Sequence, residues 1–337
     1  MIRLSVLDQS PIRSGVTAAQ ALRETLLLAE AAERLGYHRY WVAEHHNSGG
    51  LAGTSPEILA GQIAARTRAM RVGSGGVMLS HYSAYKVAEN FRVLEAFYPG
   101  RVDLGIGRAP GSDRLTAAAL APDQSGFGYE DYPHKVADLM GYLTDSLPAG
   151  HPFARLRAMP DGPTAPEVWM LGSSGESALM AAHFGLPFSF AHFINQYGGP
   201  QVMRMYRANF RPSKHLAAPL GSIGVFVLCA ETEEEALHHA SSRPLWMLRN
   251  RRGERKGIPT PEEAKAHPWN EAERAFAEDL WGRTTAGGPG QCKEEMLKLA
   301  EAYGVEELVV VTVCHSFEAR LKSYELLAGA FGLEGRG

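Results

Sequence analysis

The sequence predicts a (β/α)8 barrel, or TIM barrel, and two observations lead to that fold class. Short apolar runs alternate along the whole chain with longer segments of helical spacing, a pattern typical of parallel strands covered by helices. Eight such strand–helix units follow one another, and this number favours a closed barrel over an open, doubly wound sheet. Barrels of this class commonly exceed about 250 residues, so a chain of 337 residues fits one domain, residues 1–337.

The first half of the chain is expected to form four strands and three helices. In the first helix the apolar residues share one face, and Gly36 ends it. The second helix begins at Pro56, a residue favoured at the first helical position. The predicted strands cover residues 2–7, 39–43, 71–79 and 101–106, and the predicted helices cover residues 17–35, 56–68 and 84–97.

The second half continues the alternation with two long connections. The predicted strands cover residues 167–171, 188–191, 223–229 and 307–313, and the predicted helices cover residues 177–184, 200–210 and 317–331. The long connections are residues 107–166, after the fourth strand, and residues 230–306, after the seventh. We therefore expect a barrel with insertions after strands 4 and 7.

The insertion 230–306 has two interpretations. Its middle, residues 249–257, is a dense run of charged residues that suits a solvated surface loop. Long loops in compact domains also serve as lids over active sites, so the segment is a candidate lid over the barrel mouth.

Composition excludes several classes of protein. Hydrophobic residues make up 45% of the chain and charged residues 21%, as in ordinary globular proteins, and the net charge of −3 gives no basic footprint for nucleic acid. No apolar run approaches the roughly 20 residues that a membrane helix needs. The three cysteines, Cys229, Cys292 and Cys314, are far apart and form no CxxC pair. We therefore expect a soluble, cytoplasmic protein that binds neither nucleic acid nor membrane.

Polar residues follow the predicted strands, where barrel enzymes build their active sites. The second strand ends in Glu44, His45 and His46. Adjacent side chains on a strand point to opposite faces, so only one histidine can face the site, and the sequence contains no HExxH motif. A metal site is therefore not expected. His45 is a candidate catalytic residue, and a structural histidine satisfied by Glu44 or by the backbone is the alternative.

The segment 171–177 passes from the fifth strand into a helix and predicts an anion site. Its glycine allows close approach of a ligand, its hydroxyls can donate, and the first N–H groups of a helix attract a phosphate. A plain helix cap is the alternative. The candidate phosphate-binding residues are Gly172, Ser173, Ser174 and Ser177, with Arg108 at the end of the fourth strand as a charged partner. Glu176 must then point away from the phosphate.

Gly75 and Gly76 lie inside the third predicted strand. Glycine weakens a strand interior unless a backbone or a ligand must approach closely. A flat ligand packed against this strand explains the pair, and a β-bulge is the alternative.

Taken together, these motifs resemble those of the bacterial luciferase-like monooxygenase family, in order and over nearly the whole chain. They are residues 43–46 (AEHH), 72–79 (VGSGGVML), 87–89 (VAE), 99–111 (PGRVDLGIGRAPG), 171–174 (LGSS) and 304–312 (GVEELVVVT). Each motif alone is modest, but the ordered set is specific to flavin-dependent oxidoreductases of the luciferase alpha-chain type.

The resemblance implies a barrel that binds FMN at its C-terminal rim. It assigns Ser173, Ser174, Ser177 and Arg108 to the flavin phosphate. It places a non-proline cis peptide at 75–76, against the isoalloxazine ring, and makes His45 the catalytic histidine. Two positions depart from the pattern: Gly107 replaces a reactive cysteine and Ser80 an asparagine. The substrate and light emission therefore stay open.

We expect a two-component monooxygenase, in which reduced FMN and O2 oxidise a small organic substrate such as an aldehyde. A separate NAD(P)H flavin reductase is expected as partner, because the chain lacks an N-terminal GxGxxG fingerprint. The resemblance also implies a homodimer. The alternatives are a deazaflavin-dependent hydride-transfer enzyme and a non-catalytic flavin-binding subunit. Tyr82, His192 and Trp169 are further candidates for the pocket lining.

Overall fold

A computed structural model describes residues 2–109, 111–122 and 131–335 of the chain. Residues 110 and 123–130, which belong to the predicted insertion 107–166, lie outside the described residues. The strands are β1 (Arg3–Asp8), β2 (Arg39–Val42), β3 (Arg71–Met78), β4 (Val102–Gly107), β5 (Glu167–Gly172), β6 (Phe188–Ala191), β7 (Gly221–Cys229), β8 (Thr284–Gly287) and β9 (Glu307–Val311).

Thirteen α-helices lie within these described ranges. They are α1 (Ala18–Arg34), α2 (Pro56–Ala64), α3 (Ala84–Phe97), α4 (Arg114–Leu120), α5 (Tyr132–Leu143), α6 (Gly175–Phe184), α7 (Gly199–Asn209), α8 (Glu233–Ala240), α9 (Ser242–Arg251), α10 (Pro261–Ala266), α11 (Glu271–Trp281), α12 (Pro289–Tyr303) and α13 (Phe317–Phe331).

Eight parallel strands close into the predicted barrel. Strands β1 to β7 pair in sequence order, β7 pairs with β9, and β9 pairs back to β1. The (β/α)8 prediction is confirmed. The pairing of β9 with both β7 and β1 closes the circle, so that each of the eight strands has two neighbours.

The long connections contain more regular structure than the sequence predicted. Helices α4 and α5 lie within residues 107–166, and α5 packs against α3. The segment 230–306 contains α8 to α12 and one extra strand, β8, which pairs with Phe226–Cys229 at the end of β7. Helix α12 packs against α7 and α13 in the outer ring of the barrel, so the inserted part is shorter than expected.

The N-terminal half of the barrel interior is filled by an ionic network. The buried guanidinium of Arg39 lies 2.7 Å from Asp103 and 2.7 Å from Glu307, and Arg71 bonds the other oxygen of Asp103 at 2.5 Å. Trp41 donates its indole N–H to Asp103 at 2.9 Å. This network closes the floor of the barrel, because a buried charge is stable only with such partners.

An apolar layer lies above that floor, at the C-terminal ends of the strands. Leu7, Trp41, Trp169, Phe226 and, from helix α9, Trp246 belong to one buried cluster. The insertion thus packs directly on the mouth of the barrel.

In the part of the chain that the structure describes, every helix is too short or too polar to cross a membrane.

Candidate active site

A cavity of about 350 Å³ opens at the C-terminal ends of the strands. All seven residues that the sequence assigned to the cofactor line it: Gly75, Gly76, Arg108, Gly172, Ser173, Ser174 and Ser177. They come from the ends of β3, β4 and β5, which are neighbours in the sheet. The volume lies within the range of about 300–1,000 Å³ typical of small-molecule sites.

The β3 side of the cavity is bare backbone. The peptide bond between Gly75 and Gly76 is cis, and the pairing of β3 with β4 shifts register between Gly75 and Val77. A Cβ atom on Gly76 would lie 2.7 Å from the carbonyl oxygen of Gly105 and 2.8 Å from Leu171. The irregularity offered as the alternative is present, and the strand presents its backbone to the cavity; the flat ligand stays a prediction.

The β5 side of the cavity has the geometry of an anion site. Ser174 is the N-cap of α6, and its hydroxyl accepts from the backbone N–H of Ser177 at 3.5 Å. The side chain of Asn195 donates to the carbonyl oxygen of Ser173 at 3.2 Å and holds the turn in place. The plain helix cap, which was the alternative to an anion site, is therefore present at Ser174. The N-terminus of α6 that it caps attracts negative charge.

Glu176 does not point away from this site as the sequence argument required. Its carboxylate lies 2.5 Å from the guanidinium of Arg108, although 69% of the Glu176 side chain is exposed. A carboxylate in the first turn of a helix is favoured by the helix dipole, and Arg108 is the cation it meets there. The group predicted to hold a phosphate is thus paired with a carboxylate of the protein.

His45 lies past the end of β2 and is not among the residues that line the cavity. Its backbone N–H donates to Gly53 at 2.8 Å, and within the described residues its buried Nδ1 atom has no hydrogen-bond partner. Burial lowers the pKa of His45 to about 4, against a smaller opposing effect of Glu44. The ring is therefore neutral at neutral pH, and its Nδ1 is not satisfied by Glu44 as the structural alternative supposed.

Glu44 has a different role, which the sequence did not reveal. Its buried carboxylate accepts from the backbone N–H of Met78 at 2.9 Å, from the Tyr82 hydroxyl at 2.6 Å, and is bonded to His46 Nε2 at 2.6 Å. Met78 lines the cavity. Glu44 thereby fixes the end of β3, just beyond the cis peptide, through contacts that depend on tertiary structure.

The three further candidates for the pocket lining do not line the cavity. Tyr82 bonds Glu44 as described, His192 is bonded to the hydroxyl of Tyr303 at 2.8 Å, and Trp169 is fully buried under the site. The rest of the lining is largely apolar and includes Leu7, Trp41, Phe193, Ile194, Gly224 and Val309. Leu7, Trp41 and Gly224 could have been predicted to line the cavity from the alternation of side chains along each strand, because alternate residues of a strand face the same side.

Among the described residues, no group of three or more histidine, cysteine, aspartate or glutamate side chains is arranged to hold a metal ion.

The sequence profile of the luciferase-like monooxygenases matches residues 2–307. The chain belongs to the luciferase-like monooxygenase family. The structure agrees, since the crystal structure of apo-MsnO8 superimposes on this luciferase-like protein with a TM-score of 0.91, at 41% identity and over 100% of both chains.

Two other comparisons give one relative in sequence and one protein of the same fold. It is 40% identical over 338 residues to the N-acetyl-S-alkylcysteine monooxygenase of Bacillus subtilis (strain 168), covering 98% of each chain. It shares its fold with the oxygenating constituent of 3,6-diketocamphane monooxygenase of Pseudomonas putida in complex with FMN, with a TM-score of 0.71, 18% identity and coverage of 97% and 96%. The protein is a monooxygenase-type oxidoreductase of the flavin-dependent class.

Proposed function

We propose that the protein is an FMN-dependent monooxygenase that takes reduced FMN from a separate NAD(P)H flavin reductase and uses O2 to oxidise a small organic substrate. The observation that carries this proposal is the convergence of seven residues, predicted from three distant stretches of sequence, on one cavity. That cavity has an anion-binding end and a bare backbone wall, which are the two features that a flavin mononucleotide requires.

The phosphate of FMN fits the β5 side of the cavity. The N-terminal N–H groups of α6 and the hydroxyls of Ser174 and Ser177 supply donors, and Arg108 supplies a charge-assisted donor. Glu176 would have to release Arg108 when the phosphate binds. Its exposed side chain can do so by rotating into water.

The isoalloxazine ring fits the wall made by Gly75 and Gly76. Any side chain at position 76 would collide with Gly105 and Leu171, so only glycine lets the backbone form this wall. Apolar side chains that also line the cavity, among them Phe193 and Ile194, are suited to contact a flat ring. When bound, reduced FMN supplies the electrons and the reactivity towards O2.

His45 is the proposed proton-transfer residue. Because its pKa is lowered to about 4, the ring is neutral and can accept a proton at Nδ1, which has no partner among the described residues. Trp41 of β2, four residues earlier in the chain, lines the cavity. We assign His45 to the substrate side of the site, above the cofactor cavity.

The insertion 230–306 is the proposed lid. Trp246 of α9 packs in the same cluster as Leu7 and Trp41 at the barrel mouth, and a Cβ atom on Gly50 would lie 2.3 Å from its indole nitrogen. Such close contact between insertion and rim excludes water, which protects a reactive oxygenating cofactor.

A homodimer is the proposed assembly, as the family resemblance implied. Ile58 on α2 and Phe97 on α3 are 65% and 72% exposed, and α2 packs against α3. Large apolar side chains on adjacent helices are typical of an interface. Light scattering on the purified protein measures its mass directly, and a monomer would contradict this assignment.

The decisive experiment combines binding with isotope labelling. The protein is titrated with FMN, reduced FMN and a deazaflavin, and is then supplied with reduced FMN, ¹⁸O2 and an N-acetyl-S-alkylcysteine or a long-chain aldehyde. We expect saturable FMN binding and ¹⁸O in the oxidised product. Tight binding of the deazaflavin alone, with hydride transfer and no label, would instead identify the alternative enzyme. Saturable FMN binding with no product from a broad substrate series would favour the non-catalytic subunit.

A further inference from the structure

Helix α9 of the insertion places a buried guanidinium at the barrel mouth. Arg243 is 6% exposed. It donates to the Thr284 hydroxyl at 2.9 Å and, more weakly, to the carbonyl oxygens of Leu280 at 3.4 Å and Phe193 at 3.5 Å. These acceptors leave part of the guanidinium's five N–H donors for another group.

The position of Arg243 relative to the cofactor cavity follows from β7. Gly224 lines the cavity, and Phe226 is the next residue on the same face of the strand, about 7 Å further toward the mouth. The guanidinium of Arg243 lies 4.1 Å from the centroid of the Phe226 ring. The Phe226 ring and the guanidinium of Arg243 therefore lie nearer the barrel mouth than Gly224, and Arg243 is buried next to the cavity lining rather than part of it.

The charge of Arg243 has no counter-ion in the described parts of the chain. Every acceptor it meets there is neutral, and the nearby charged group is another cation, Arg283. Burial and Arg283 lower the pKa of Arg243 to about 9, so the group remains protonated at neutral pH. A buried cation without an anion is costly, and such a group usually marks a missing partner.

Arg283 reinforces this positive region. It bonds Asp279 at 2.8 Å and the carbonyl oxygen of Ile194, while its buried Nε has no partner among the described residues. Arg243 and Arg283 thus donate to the carbonyl oxygens of two consecutive residues, Phe193 and Ile194. Both residues line the cofactor cavity. The carboxylate of Asp279 pairs with Arg283 and not with Arg243.

We propose that Arg243, assisted by Arg283, binds the anionic end of the substrate, and that this end is a carboxylate. A guanidinium stacked on an aromatic ring keeps its edge available, and that edge matches the planar, two-oxygen geometry of a carboxylate. The apolar mouth around Phe226 and Trp246 accepts the rest of a small organic acid. This inference rests on the proposed function, since it places the substrate over the flavin.

The test compares carboxylic acids with their neutral amides. FMN-loaded protein is titrated calorimetrically, to about 10 mM, with three pairs: N-acetyl-S-methylcysteine, hexanoate and benzoate, each beside its primary amide. We expect the wild-type protein to prefer the acid of at least one pair by about tenfold or more. Arg243→Met should abolish that preference, and Arg243→Lys should keep part of it.

The matched control is Arg251→Met, on the same helix. Arg251 also stacks on an aromatic ring, that of Phe276 at 4.8 Å, but it is exposed to solvent. This variant should keep the full preference for the acid.

FMN affinity, measured on the same samples, separates the two proposals. Unchanged FMN binding in Arg243→Met, with loss of the preference, supports the carboxylate subsite and shows that the variant is folded. No preference in the wild-type protein for any acid, or a preference that survives Arg243→Met, overturns the subsite while leaving the FMN proposal intact. Loss of FMN binding in Arg243→Met, with a normal melting temperature, would assign the guanidinium to the cofactor instead.

Discussion

The carboxylate of Glu176 lies 2.5 Å from the guanidinium of Arg108, at the N-terminus of α6. Two charges of the protein thus neutralise each other where the phosphate of the proposed cofactor would bind. The exposed pair is weak, because solvent screens it and both side chains lose freedom when they form it. If the proposed phosphate site is correct, Glu176 would compete with the phosphate for Arg108, and the first prediction tests this.

Glu176→Gln should strengthen FMN binding about two- to fivefold, since the competing charge is removed and an exposed pair is worth less than about 1 kcal/mol. The gain should shrink as salt is added. Fluorescence quenching of FMN measures the dissociation constant. Glu234→Gln is the matched control, because Glu234 is also the second residue of a helix but lies on α8, outside the cavity. Weaker binding in Glu176→Gln would contradict the competition.

Arg108→Met should weaken FMN binding about 10- to 100-fold, the usual effect of losing a hydrogen bond to a charged group. Riboflavin, which lacks the phosphate, should bind the variant and the wild-type protein equally. This double comparison assigns the effect to the phosphate rather than to the ring. Equal losses for FMN and riboflavin would mean that Arg108 only supports the fold.

Gly76→Ala should reduce FMN affinity by about 5- to 150-fold, because overpacking of a closed site costs about 1–3 kcal/mol. The added Cβ would lie 2.7 Å from the oxygen of Gly105, so the backbone wall must move. Gly150→Ala is the control, since a Cβ atom there meets nothing within 4 Å. Titration with FMN measures the affinity of each variant, and its melting temperature shows whether it is folded. Normal FMN affinity in Gly76→Ala would show that the backbone at Gly76 does not contact the cofactor.

His45→Asn should abolish turnover while leaving FMN affinity unchanged, if His45 acts on the substrate side. It should also alter the dependence of stability on pH. The pKa of folded His45 is about 4, below the ordinary value of 6.5, so the unfolded state binds more protons between these values. The wild-type protein therefore loses stability as pH falls from about 6.5 to about 4, and the variant should lose less.

His38 provides the control for His45. Burial and the neighbouring Arg39 lower its pKa to about 4 as well, so His38→Asn should flatten the same part of the pH–stability curve. Turnover should remain in that variant, because His38 lies at the start of β2, on the opposite end of the barrel from the cavity. Melting temperatures at several pH values and steady-state rates distinguish the two histidines. Full activity in His45→Asn would contradict the catalytic assignment.

The strand–helix alternation and the cofactor-binding candidates were predictable from the sequence because they depend on local patterns. Apolar runs indicate buried strands, and a turn such as Gly172–Ser174 followed by a helix indicates a helix N-terminus, which made it a candidate anion site. The barrel rule then places all strand ends on one face, so Gly75, Arg108 and Ser174 could be expected to meet. In the structure they line one cavity.

The content of the insertions was not predictable in the same way. Helices α5 and α9 were not among the predicted elements, and β8 is a strand of four residues that pairs with the part of β7 extending beyond the barrel. Propensity over so short a run is overridden by such tertiary pairing.

The sequence by itself determined the barrel, its family and the side of the molecule on which chemistry occurs, since these follow from periodicity and from the order of short motifs. Only the tertiary structure decided which charges meet: that Glu176 turns to Arg108, that Glu44 holds Met78, and that Arg243 is buried above Phe226 with neutral acceptors. The physical reason is that a side chain's partner is set by distance in space. A long charged side chain can reach several neighbours, and the packing of helices far apart in sequence selects among them.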